Sequence, residues 1–158
     1  MGANRRMNPE LEDRKAAAAV LAEAVTWIGT PYRHQGSTKG VGCDCLGLVR
    51  GIWRAVYGKE PEAPGPYAPD WAEAGGRDRL LEAAGRHCAE KAIHEALPGD
   101  LIVFRWRVHH AAKHVGILMS EDRFLHAYEG HAVTASALIP QWRRRIAGVF
   151  VFPDLPPY

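Results

Sequence analysis

The chain has too little cysteine to be held together by disulfides. Three cysteines in 158 residues are few and odd in number, which favours free thiols. Long apolar runs are missing too. The basic start, MGANRRMNPELEDRK, returns to charge at Glu10 to Lys15 before an apolar core of signal-peptide length has formed. Neither a secretory leader nor membrane insertion is therefore expected. The chain should be made in the cytoplasm and leave it only with a partner or a particle. Charge of one sign is also lacking: a formal net charge of +2 points to no nucleic-acid partner, and Arg143 to Arg145 read as a solvated edge. No internal repeat, low-complexity tract or long linker divides the sequence. Residues 1–158 are expected to form one domain, large enough to bury a core unaided.

What is present changes in texture along the chain. Pro9 to about Ile28 has Leu11, Ala18, Leu21, Ala22, Val25 and Ile28 near a 3.6-residue period, predicting an amphipathic helix that Gly29-Thr30-Pro31 ends. A glycine- and proline-rich loop follows. Cys45 to Tyr57 then predicts a second helix with Leu48, Val49, Ile52, Trp53 and Val56 on one stripe, Asp44 as its N-cap and Gly58 as its stop. After the irregular PEAPGPYAPDW, Arg77 to His87 suggests a short third helix. From Pro98 onward the segments PGDLIVF, KHVGILM, RFLHAYE and AGVFVF read as four strands. Helices first and strands last predict an α+β domain, its N-terminal helices packed on a C-terminal antiparallel sheet.

The chemistry concentrates in GCDCLGL, residues 42–48. Cys-x-Cys is the wrong spacing for a zinc half-site or for a Cys-x-x-Cys redox pair, so neither a metal site nor a redox pair is expected here. The two cysteines are not equivalent. Cys45 falls in the first helical turn, where unpaired N–H groups and the helix dipole favour a thiolate, predicting a lowered thiol pKa and a nucleophile. Cys43 precedes the cap and reads as a packing residue, and Cys88 as a small buried hydrophobe. Gly47 is a poor helix former, which makes sense where a backbone or substrate approaches closely.

A thiolate needs a base. Of eight histidines, His114 opens the strand HVGILM and His126 lies in the next strand, FLHAY. A connecting turn with an odd number of residues places both on one face. That geometry leaves two readings open: a base with its orienting partner, or a cross-strand histidine pair without chemistry. His109 and His110 are candidates for lining a groove, while Trp53, Trp106 and Trp142 read as core or interface.

Taken in order, Thr30-Pro31-Tyr32-Arg33 with Gly36, Asp44-Cys45-Leu46-Gly47-Leu48, Pro98-Gly99-Asp100-Leu101 and His114-Val115-Gly116-Ile117 resemble the blocks of the NlpC-type cysteine peptidases. These are papain-like enzymes that cut bacterial cell-wall peptides. The resemblance implies Cys45 as nucleophile, His114 as general base and then acid, and His126 as orienter of that imidazole. It also implies Tyr32 at the oxyanion, no cofactor, and a peptidoglycan stem peptide as substrate, cleaved through a thioester. Leu46, where the wider family has serine, together with AKHVGIL, HAYEGHAV and WRRRIAGVFVFP, is similar to the branch carried by phage tails and gene transfer agents. A tail hub or baseplate partner and action on the wall in the periplasm follow from that likeness. A structural tail adaptor, or a thiol acyltransferase or amidase on the same fold, are the alternatives. Segment 59–71 and Arg143 to Arg145 are the candidate docking surfaces.

Overall fold

A computed structural model describes residues 9–62, 65 and 78–157. Its elements are α1 (Pro9–Val25), β1 (Ser37–Thr38), β2 (Gly42–Cys43), α2 (Cys45–Tyr57), α3 (Arg79–His87) and β3 (Ala89–Lys91). A 3₁₀ turn (Ile93–Glu95) follows, then β4 (Leu101–Phe104), β5 (His114–Ser120), β6 (Arg123–His126), β7 (Thr134–Ala137), α4 (Pro140–Arg143) and β8 (Ile146–Val151). The α+β order expected from the sequence holds. Six strands make one antiparallel sheet in the order β3-β8-β4-β5-β6-β7, beside the short β1–β2 ladder.

Two strands of the main sheet escaped the sequence. Both β3 (AEK) and β7 (TASA) lie at sheet edges and carry small or charged side chains with no apolar alternation. Only the ladder hydrogen bonds of their neighbours make them strands. Most of the Pro-rich docking candidate lies outside the described residues, as does Arg77, and the third helix runs from Arg79.

The first helix needs correction in both extent and face. It ends at Val25, and Val25 and Ile28 are 41% and 47% exposed. Ala16, Val20, Ala24 and Trp27 form the buried face instead. Small alanines let α1 lie close against α2 and β5, which larger residues on that face would prevent. The second helix follows its expected stripe, with Leu48 and Ile52 fully buried and Trp53 nearly so.

Side chains of the sheet alternate between two apolar layers. Leu101, Val103, Val115, Ile117 and Leu125 face the helices with Val20, Leu48 and Ile52. Ile102, Phe104, Leu118 and Phe124 face the other way, where Leu138 and Trp142 of the α4 region cover them.

The joint between α2 and the loop before it is very tight. A Cβ built on Gly47 falls 1.7 Å from the Gly36 carbonyl oxygen. Here the close approach expected of Gly47 is to the protein's own backbone. Gly47→Ala should destabilise the fold by about 3 kcal/mol, since backbone cannot step aside cheaply. A urea titration checks this; an unchanged midpoint would show that the contact is not limiting.

Candidate active site

Asp44 builds the site from one carboxylate. Its Oδ1 accepts the Gly47 N–H at 2.7 Å, capping α2, and its Oδ2 accepts the Gln35 N–H at 2.8 Å, holding the preceding loop. The backbone around Tyr32 pairs with Cys43: the Arg33 N–H donates to Cys43 O and the Cys43 N–H to Pro31 O, both at 3.0 Å. Tyr32, Asp44, Cys45 and Gly47 are thereby brought together. Cys43 is fully buried beneath them, as a packing residue would be.

Cys45 keeps part of its surface open to solvent. Its Sγ lies 4.0 Å from the Lys113 carbonyl oxygen, and the Val115 N–H faces it closely enough to favour its charged form. These two groups flank His114 on either side, so the start of α2 meets the start of β5. The N–H groups of Leu46 and of Cys45 itself also face the sulfur, as expected of a helix start.

The two histidines share a face because β5 carries an extra residue. Arg123 pairs with Ser120, but Phe124 pairs with Leu118 and Leu125 with Ile117, so Met119 is bulged out. Continued from the Ser120–Arg123 pair without the bulge, the ladder would place His114 and His126 on opposite faces. With it, His126 falls opposite Gly116 and diagonal to His114. An added Cβ on Gly116 would stand 2.9 Å from the Leu125 oxygen and 3.4 Å from the His126 Cβ, so the missing side chain leaves room for the diagonal reach. The result is a bond of 2.8 Å from His114 Nε2 to His126 Nδ1.

Sequence reading missed the next member. On β7, Ser136 pairs with Phe124, which again places it diagonal to His126, and its Oγ lies 2.7 Å from His126 Nε2. In TASA nothing marks this serine except the strand register. One arrangement of protons makes the chain useful: Ser136 Oγ accepts from His126 Nε2–H, and His126 Nδ1 accepts from His114 Nε2–H. The His114 Nδ1 lone pair then remains to take a proton. Aromatic rings enclose the pair. Trp106 stacks on His114 at 5.5 Å, Trp142 lies 5.7 Å away, and Tyr128 stacks on His126 at 5.1 Å. Trp53, by contrast, belongs to the helix-side core, and His109 and His110 are exposed.

Burial dominates the electrostatics. It pushes the Cys45 thiol up to about 12, reinforced by the Asp44 charge, against the three backbone N–H groups that pull it down. The lowered thiol pKa expected from the helix start is therefore corrected: a helix terminus contributes up to about 2 kcal/mol, and desolvation outweighs it. Burial likewise lowers His114 to about 3, with His126 adding to the shift, and lowers His126 to about 4, with His131 adding. Thiol and imidazoles are neutral at rest. Burial, with the Asp44 and Glu129 carboxylates adding, raises the Tyr32 hydroxyl to about 12, so it stays a donor. Among the described residues no cluster of three or more His, Cys, Asp or Glu could hold a metal.

These shifts have a consequence for stability. Each imidazole binds protons more readily unfolded, at about 6.5, than folded, at about 4 and about 3. Their contribution is complete above about pH 6.5 and is lost as pH falls toward the folded values. The urea midpoint should fall between pH 6.5 and 4, and His126→Gln should flatten that slope. Identical slopes in both proteins would contradict it.

Residues 29–151 match the NlpC/P60 family. The chain is 32% identical over 141 residues to the gamma-DL-glutamyl hydrolase of Bacillus subtilis strain 168, covering 89% of this chain and 30% of that protein. It is 32% identical over 126 residues to a probable endopeptidase NlpC homolog of Haemophilus influenzae, covering 78% of this chain and 54% of that one. It thus spans between 30% and 54% of the length of these curated relatives. A crystal structure of the NlpC/p60 domain of peptidoglycan hydrolase SagA superposes with a TM-score of 0.58 at 26% identity, over 85% of this chain and 97% of that one. Sequence and architecture agree, and the chain belongs to the NlpC/P60 family.

Proposed function

We infer that the protein is a cysteine endopeptidase that hydrolyses peptidoglycan stem peptides. The observation that carries this reading is the joint between Cys45 and the peptide groups flanking His114, with the His114–His126–Ser136 chain behind it. Relatives named as endopeptidases and as a peptidoglycan hydrolase support it.

In the proposed reaction His114 Nδ1 takes the Cys45 proton as the sulfur attacks the scissile carbonyl. Both members rest neutral, so proton transfer and attack proceed together rather than from a stored thiolate. The Cys45 N–H and the Tyr32 hydroxyl donate to the oxyanion. His114 then gives its proton to the departing amine, leaving a thioester. Water, deprotonated by His114, adds to the thioester, and Cys45 leaves as the thiol. His126 holds the tautomer throughout, anchored by Ser136. No step calls for a metal or an organic cofactor.

The likeness of AKHVGIL, HAYEGHAV and WRRRIAGVFVFP to the branch borne by phage tails supports a place on a phage-like tail hub or baseplate. The enzyme, made in the cytoplasm, would then act on the wall in the periplasm, carried there by the particle. The chain should sediment with washed tail-like particles; consistent absence from them would sink this part.

Incubation with purified sacculi and stem peptides tests the chemistry. Wild type should release free amines, and Cys45→Ala should lower the rate by about 10³-fold or more. Equal inactivity of the two would overturn the hydrolase reading. Ser136→Ala should lower kcat by about tenfold and shift the acid limb of the pH profile, because the His126 Nε2–H loses its buried acceptor. Ser136→Thr should restore both. An unaltered profile in Ser136→Ala would assign the serine to packing alone.

A further inference from the structure

A cleft of about 490 Å³ opens beside the histidine pair, lined by Arg105, Arg107, Arg144, Arg145, Trp106 and Gln141. It forms where two segments diverge. The Arg105 N–H donates to Arg145 O at 2.8 Å, after which the chain leaves the sheet for the loop before β5. On the other side, the Arg145 N–H closes α4 on Trp142 O at 3.0 Å, and β8 begins at Ile146.

Four guanidinium groups on one cleft is a large local charge for a chain of net charge +2. Arg105 has a carboxylate partner, Asp78, at 3.6 Å. Arg107, Arg144 and Arg145 have none among the described residues, where Arg145 lies over the Trp106 and Trp142 rings at 5.1 and 5.7 Å. The run Arg143 to Arg145 is therefore not one uniform solvated edge. Arg143 donates to the Glu121 backbone carbonyl, and Arg144 and Arg145 line the cleft.

Its position ties the cleft to the site. Phe104 pairs with His114 on one side and Ile146 on the other. Two strand spacings, about 10 Å, therefore separate His114 from Ile146 on the far wall of the cleft. Trp106 is shared, stacked on His114 and forming the cleft wall. At about 3.3 Å per extended residue, 10 Å is about three residues of a bound peptide.

We propose that this cleft is a specificity subsite that takes a carboxylate of an acidic peptide substrate about three residues from the bond cut at Cys45. Guanidinium forks match carboxylates bidentately, and Gln141 supplies a neutral donor beside them. Nucleic acid is the poorer fit. Trp106 is covered by His114 and by Arg145, so it offers no open ring for a base to stack on. The volume suits a short segment rather than a polymer track.

The proposal rests on the hydrolase reading, and its test separates the two. The substrates are a stem tetrapeptide with free carboxylates and the same peptide with those carboxylates amidated. Wild type should favour the acidic form by about tenfold in kcat/KM, the worth of one charge-assisted pair. Arg107→Gln/Arg144→Gln, both at exposed positions with the thermal midpoint as a folding check, should bring that ratio to within about threefold. Equal cleavage of the two forms by wild type, or an unchanged ratio in the variant, would overturn the subsite and leave the hydrolase standing. Tryptophan fluorescence of the Cys45→Ala protein supplies the second readout. Arginine-dependent binding of the acidic peptide without any cleavage by wild type would keep the cleft and remove the hydrolase. Equal binding of both forms in that case would remove the cleft as well. Tighter, arginine-dependent binding of a single-stranded oligonucleotide would overturn the peptide assignment.

Discussion

The Asp44 carboxylate is the contact on which the site depends. It is almost fully buried, and its two oxygens act separately, one capping α2 and the other holding the loop that carries Tyr32. Backbone N–H donors on both oxygens satisfy this buried carboxylate, and the His34 Nδ1 lies 3.8 Å from its Oδ2. The same group raises the thiol beside it, so the structure keeps a charge near Cys45 that works against a free thiolate. Gly47 allows this arrangement, because any side chain there would occupy the position of the Gly36 carbonyl.

The sheet contributes a second device, a diagonal ladder across three strands. His114, His126 and Ser136 lie on β5, β6 and β7, each offset from the next along its strand. The Met119 bulge gives the two histidines a common face, and Gly116 clears the space between them. This face is opposite the one packed on the helices. Cys45 reaches it only because α2 begins at the end of the sheet where β5 starts, against the backbone on either side of His114.

Burial and charge divide the work around that end of the sheet. The histidines are buried under tryptophan and tyrosine rings, and that burial favours their neutral forms. Just beyond Trp106 the surface becomes cationic. One indole thus marks the boundary between a buried, low-dielectric histidine pair and a cationic cleft.

Much of this was legible in residue order. The α+β class, the α2 boundaries with Asp44 and Gly58 as caps, and the strand identities from β4 to β6 follow from local periodicity and stop signals. Cys45 is separated from Cys43 by helix capping alone. Other features were set only by long-range packing. The buried face of α1 depends on what α2 and β5 will admit, so an alanine face outcompeted a larger apolar one. The edge strands β3 and β7 have no pattern of their own, and with β7 went Ser136. The helix start distinguishes Cys45, partly open beside the start of β5, from the buried Cys43, but it does not set how tightly the thiol holds its proton. Placement follows from a cap spanning three residues, whereas protonation depends on how much protein surrounds the sulfur, which only the tertiary structure decides.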